Sequence, residues 1–96
     1  MIPDELSRSE ADRVFRALGD ATRRDIIART LVEGQSVTEL ARRYDVGFAA
    51  VQKHVAVLER AGLIVKCARG RERVARANRE MIRRASQLLR AFDGYG

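Results

Sequence analysis

The stretch that decides the fold is Gly47-Phe48-Ala49-Ala50-Val51-Gln52-Lys53-His54-Val55-Ala56-Val57-Leu58-Glu59-Arg60-Ala61-Gly62-Leu63-Ile64, followed shortly by Arg69-Gly70-Arg71-Glu72-Arg73. Val51, Val55 and Leu58 recur at helical spacing, so the first run reads as an amphipathic helix with one buried stripe. Gln52, Lys53 and His54 decorate its early turns, and positions 48, 49, 52, 53 and 56 fall on the exposed side. Gly62 stands just past the helix end. Leu63-Ile64-Val65 is too short and too β-branched to continue it, and predicts a strand that leads into a turn at Arg69-Gly70-Arg71 and a returning strand from Glu72 to Ala77.

Working upstream, Ser36-Val37-Thr38-Glu39 is a capping-box pattern that opens a third helix with Val37, Leu40, Ala41 and Tyr44 turned inward. The short turn Asp45-Val46-Gly47 then sends the next helix across it, which makes a helix-turn-helix. Before these, Ser9 is the expected cap of a first helix whose Ala11, Val14, Phe15 and Leu18 share a face, ended by Gly19. Asp20 caps a second, with Ile26, Ile27, Thr30 and Leu31 buried, Arg23, Arg24, Asp25 and Arg29 facing out, and Gly34 as its stop. Downstream, Asn78 caps a last helix with Met81, Ile82, Ala85, Leu88, Leu89 and Phe92 on a wide apolar face. The expected fold is mainly α with a small β-hairpin, a winged helix-turn-helix in the order α-α-α-α-β-β-α. One domain over residues 1–96, with dimerising helices at both ends, is the expected organisation.

The chain has 96 residues, one proline, no tryptophan, 46% apolar and 33% charged residues, a mixture that folds because charge and apolar positions interleave. Its net charge of +6 is concentrated. Between Arg69 and Arg90 eight arginines face two glutamates, whereas the remaining residues hold eleven basic and eleven acidic side chains. The excess lies on the hairpin and the last helix, which favours a polyanionic partner. The single cysteine, Cys67, excludes an intrachain disulfide and suits a reducing compartment, the cytoplasm. The start Met1-Ile2-Pro3-Asp4-Glu5-Leu6 has neither a basic nor an apolar signal region, and no apolar run is long enough to span a bilayer.

Phe15-Arg16-Ala17-Leu18-Gly19-Asp20-Ala21-Thr22-Arg23-Arg24 resembles the opening phrase "aLadptRr" of the ArsR/SmtB winged-helix repressors of bacteria. Val51-Gln52-Lys53-His54-Val55 with Leu58 to Ile64 resembles their "vSkHLkvLreAGLv", and Gly70-Arg71-Glu72-Arg73-Val74 their wing, "GrerxY". The phrases stand in family order from residue 11 to about 77. The resemblance implies a homodimer, joined through its first and last helices, that represses transcription from a pseudo-palindromic operator. Metal-sensing members carry Cys-x-Cys where this chain has Ser36 and Thr38, and hydroxyls are poor ligands for ions that favour thiolate. Residues 78–96 hold no histidine and only Glu80 and Asp93 as acids. No metal and no cofactor is therefore expected. Gly47, Gln52 and Ala75 replace the family's usual serine, serine and tyrosine.

Double-stranded DNA is the expected partner. Gln52 can read adenine, Lys53 can donate to guanine or phosphate, and Phe48 and Ala49 offer apolar contact to a thymine methyl; the bland reading of Gln52 and Lys53 is a solvated helix face. His54 either donates to a phosphate or holds its helix against a neighbour. Arg69, Arg71 and Arg73 suit the minor groove and its phosphates, with strand alternation expected to place all three on one face; a solvated hairpin is the alternative. Thr38, with Arg42 and Arg43, can meet the DNA backbone. Arg79, Arg83, Arg84 and Arg90 lie on the dimer helix, where they can pair with Asp12 or Glu10 of a partner. Cys67 reads as either a half-buried strand residue or a sensor thiol.

Val14, Phe15, Leu18, Ile82, Leu88, Leu89 and Phe92 are more apolar surface than one small domain covers, and form the expected dimer interface. Two other readings compete with a repressor: a winged-helix module that docks an acidic protein, and a protein that binds DNA without sequence preference. An enzyme is disfavoured, because no nucleophile-histidine set, phosphate-binding glycine loop or metal cluster can be assembled. No membrane is expected, and the inducing ligand or partner is not written in the sequence.

Overall fold

The computed structural model describes residues 5–95, with the side chain of Tyr95 left aside; Met1 to Asp4, part of the start on which the expectation about an export signal was placed, lie outside them. Five α-helices and one hairpin follow in order: α1 (Arg8–Leu18), α2 (Ala21–Val32), α3 (Val37–Ala41), α4 (Gly47–Arg60), β1 (Ile64–Arg69), β2 (Glu72–Ala77) and α5 (Arg79–Arg90), with a 3-10 turn over Ala91–Tyr95. This is the order the hydrophobic spacing predicts.

The caps explain where each helix begins. Asp20, Ser36 and Asn78 accept from the amides of Arg23, Glu39 and Met81, and the Glu39 carboxylate accepts in return from the Ser36 amide. At α1 the expectation is corrected by one half turn: Ser7, not Ser9, is the cap. Ser7 has Glu10 three residues on, and the two side chains satisfy each other's amides at 3.1 and 2.8 Å. Ser9 has the shorter Asp12 in that position. The second helix also stops two residues before Gly34, at Val32, with Glu33 as its last half-helical residue.

Val14, Ala17, Ile26, Leu40, Val51, Val55, Leu58, Leu63 and Ile64 form the core, each fully buried or nearly so. One interface expectation falls here. Val14 is 0% exposed, so it seals α1 against its own chain and has no surface left for a partner. Phe15, Leu18 and Ile82 are half-buried, while Leu88, Leu89 and Phe92 are exposed at 37%, 54% and 63%. Of the apolar face expected on α5, only Ala85 is buried.

β1 and β2 pair antiparallel, from Ile64 opposite Ala77 to Arg69 opposite Glu72. One further rung comes from outside the hairpin. Gln35, between α2 and α3, exchanges both backbone hydrogen bonds with Ala75 at 3.0 and 2.7 Å. The wing is thereby stitched to the helix-turn-helix by backbone, which a hairpin alone in water would lack.

Candidate nucleic-acid interface

The turn between α3 and α4 is held from behind by α2. The Tyr44 hydroxyl donates to Asp25 Oδ2, and Arg29 Nε donates to the same oxygen at 2.8 Å while its guanidinium lies 5.9 Å from the Tyr44 ring centre. Partial burial and the bond to Asp25 push the Tyr44 phenol up to about 12. The phenol bond, then the Arg29 bond, hold the Asp25 carboxyl below its usual range. The start of α4 is therefore fixed in space. Its first residue, Gly47, has φ +81°, a backbone conformation that side chains resist, so the usual serine of the family would be strained in this geometry.

With Val51, Val55 and Leu58 turned inward, Phe48, Ala49, Gln52 and Lys53 lie exposed together on α4. Neither Gln52 nor Lys53 makes a side-chain hydrogen bond or ion pair among the described residues. Thr38 is exposed on the first turn of α3.

His54 occupies the edge of this face. Its Nδ1 lies 3.3 Å from Nη1 of Arg23 on α2. Because a guanidinium only donates, Nδ1 accepts, and the ring proton resides on Nε2 as the remaining donor. Arg23, expected to face solvent, is in fact half-buried and spends its other nitrogens on the end of α1: Nε donates to the Ala17 carbonyl at 2.6 Å and Nη2 to the Arg16 carbonyl at 3.1 Å. One guanidinium thus ties the C-terminus of α1 to α4. Helix spacing marks residue 23 as outward-facing but carries no information about a long side chain that folds back over the preceding turn.

The wing departs from expectation in one respect. Arg73 opposes Ala68 while Arg69 opposes Glu72, so Arg73 and Arg69 project from opposite faces of the hairpin. Alternation along one strand does not carry across the turn, and Arg71 sits in that turn. Arg69 is also engaged: Nη2 donates to Glu39 at 2.7 Å and Glu72 at 2.8 Å, and Nη1 to the Gly34 carbonyl at 3.1 Å. The Ser36 amide first, and Arg69 second, lower the Glu39 carboxyl to about 2. Arg71 and Arg73 are exposed and make no hydrogen bond or ion pair among the described residues.

On α5, Arg83 bonds Glu80 through two nitrogens and Arg84 lies 3.6 Å from the same carboxylate; the Glu10 carboxyl of the same chain is lowered first by its bonds to Ser7 and, to a smaller extent, by Arg84. The expected pairing of Arg84 across a dimer thus has an intrachain competitor. Arg79 donates to the Leu31 carbonyl at 2.9 Å. No group of three or more His, Cys, Asp or Glu side chains fit to hold a metal ion occurs among the described residues, and Ser36 Oγ is committed to the Glu39 amide. A metal of the thiolate-sensor kind does not fit there. Cys67 is half-buried on β1. No helix among the described residues is long and apolar enough to cross a membrane.

A family profile described as a helix-turn-helix domain matches residues 18–67. The regulator YuzN of Bacillus subtilis, an uncharacterized HTH-type transcriptional regulator, is 38% identical over 80 residues, 75% of this chain and 86% of that protein. An ArsR-like transcriptional regulator from Rhodococcus sp. RHA1 superimposes with a TM-score of 0.81 at 31% identity, covering 91% of this chain and 82% of its own. The chain belongs to the ArsR-type winged helix-turn-helix transcriptional regulators. The HTH-type transcriptional regulator Rv2034 of Mycobacterium tuberculosis is 41% identical over 63 residues, 66% of this chain, which spans 59% of that regulator. The ArsR-type fold also extends to a homodimeric winged helix-turn-helix domain from Mycobacterium bovis, with a TM-score of 0.71 at 17% identity. In this ArsR-type chain α3 and α4 form the helix-turn-helix and the β1-β2 hairpin the wing.

Proposed function

We propose that this ArsR-type regulator is a dimeric repressor that binds a pseudo-palindromic operator through α4 and the wing. The observation that carries the reading is the exposed face of Phe48, Ala49, Gln52 and Lys53, on a helix whose start is locked by Tyr44 and Asp25. Its polar groups have no intramolecular partner to surrender on binding, so they are presented to a groove without an internal cost.

In this reading Gln52 and Lys53 contact base edges, Phe48 and Ala49 pack against thymine methyls, and Thr38 meets the backbone. Arg71 and Arg73 reach the minor groove and its phosphates, while Arg69 holds the base of the wing against α3. His54 both anchors α4 through Nδ1 and offers Nε2–H to a phosphate. Leu88, Leu89 and Phe92, with Phe15, Leu18 and Ile82 beside them, form the two-fold interface. The entire chain works as one winged helix-turn-helix unit in the cytoplasm.

Selection of bound fragments from a genomic library by the purified protein tests the proposal. Enriched sequences should share two inverted half-sites about ten base pairs apart, centre to centre. Enrichment with no shared dyad would contradict it.

A further inference from the structure

Residues of α1, α2 and the C-terminal end of α4 line an open cleft of about 310 Å³. It is lined by Ala17, Val57 and Ala61 together with four arginines, Arg13, Arg16, Arg23 and Arg60. Arg13, Arg16 and Arg60 make no side-chain hydrogen bond or ion pair among the described residues. Glu10 and Asp20, the acids that cap or help cap α1 and α2, act on Arg13 and Arg23 from outside the lining. Four arginines and three apolar side chains, with no carboxylate in the lining, suit one ligand chemistry, a small anion with an apolar body. Guanidinium forks match a carboxylate geometrically, and the volume lies at the lower end of small-molecule sites.

We propose that this cleft is an effector site for a small organic carboxylate, and that its occupancy is read out at His54. Arg23 is the connecting group, since it lines the cleft and also holds His54 Nδ1 and the carbonyls that end α1. A carboxylate in the cleft competes for the Arg23 guanidinium, weakens its hold on His54 and alters the edge of α4. The site stays accessible in the proposed dimer, because the turn of α1 puts Arg13 and Arg16 on the flank away from Phe15 and Leu18. The readout in operator affinity rests on the regulator reading above; the binding does not.

The test uses 2-naphthoate as probe, with inorganic phosphate as the purely ionic control, in calorimetric titrations of the dimeric protein without DNA. In parallel, the ring signals of His54, the only histidine of the chain, are followed by NMR. Naphthoate is expected to saturate at one molecule per chain and to shift the His54 ring. The double variant Arg13→Gln, Arg60→Gln should lose at least about tenfold in affinity at an unchanged melting temperature, since both side chains are exposed and unbonded. No saturation by about 1 mM naphthoate, equal binding by the double variant, or phosphate competing as well as naphthoate would each overturn the site; an unmoved His54 ring would overturn its coupling. If naphthoate binds as stated but no operator is found, the regulator reading falls and the site stands; operator binding with no naphthoate binding removes the site alone.

Discussion

Arg69 Nη2 at the end of β1 lies 2.7 Å from Glu39 Oε1 on the first turn of α3, so the wing and the helix-turn-helix are joined by an ion pair as well as by the Gln35–Ala75 rung. The Glu39 carboxylate, held by the Ser36 amide first and Arg69 second, has a directional dependence on acid. The Glu39 carboxyl titrates at about 2 in the folded chain against an ordinary value of 4.5, so its stabilising contribution is complete above 4.5 and is lost as the pH falls toward 2. The thermal midpoint of the wild type should therefore drop between pH 5 and about pH 3 by more than that of Glu39→Gln. Parallel curves for the two proteins would refute the assignment.

Tyr44 gives the opposite sign. Its phenol is pushed from 10.0 up to about 12 by burial and by Asp25, so the protonated form is favoured on folding; the contribution is present below 10 and is lost as the pH rises toward 12. With Tyr95→Phe leaving Tyr44 as the single phenol, an absorbance titration should show ionisation near 12 in the folded protein. Tyr44→Phe should cost about 1 kcal/mol, the net value of one partly exposed hydrogen bond to a carboxylate. Ionisation near 10 in the folded chain would show the hydroxyl to be unpaired.

The dimer proposal separates two apolar residues, one on α5 and one on α1, by their burial. Leu89→Glu alters a side chain 54% exposed and should yield a monomer of nearly unchanged melting temperature that no longer binds operator. Val14→Ala, at a site 0% exposed, should cost about 2 kcal/mol and leave the association state alone. Sedimentation of both variants decides the matter, and a Leu89→Glu dimer would place the interface elsewhere.

On the DNA face, Arg71→Ala should weaken binding to all duplexes alike and reduce the salt slope by about one unit. Gln52→Ala should instead relax the preference for the operator, by about 1–3 kcal/mol at the base it reads. Anisotropy titrations over a series of salt concentrations distinguish these. A Gln52→Ala protein with undiminished preference would leave the reading of that residue without support.

The caps at Asp20, Ser36 and Asn78, the buried stripe of α4 and the hairpin ends are legible in the sequence because each depends on residues within four positions of one another. Ser7 was obscured by Ser9, and only the length of the acid three residues on distinguishes them. The Gln35–Ala75 rung joins backbone groups forty positions apart and leaves no side-chain signature. Arg23 and Arg69 illustrate the harder limit. Their long side chains choose acceptors through tertiary geometry, Arg23 the carbonyls that end α1 and Arg69 the Glu39 carboxylate, so spacing reveals their presence on a surface but not their partners. For the wing, period-two alternation misassigned Arg69 and Arg73 to one face because the turn at Gly70-Arg71 resets the register.

The central claim is sequence-specific DNA binding through α4 and the wing. It is tested most directly by fluorescence anisotropy of the purified protein on a labelled fragment of its own upstream region, beside a scrambled duplex, at two salt concentrations. The account predicts a preference for the native fragment of about a hundredfold or more that persists as salt rises. Equal, salt-sensitive binding to both duplexes, or no binding to either at low salt, would contradict it.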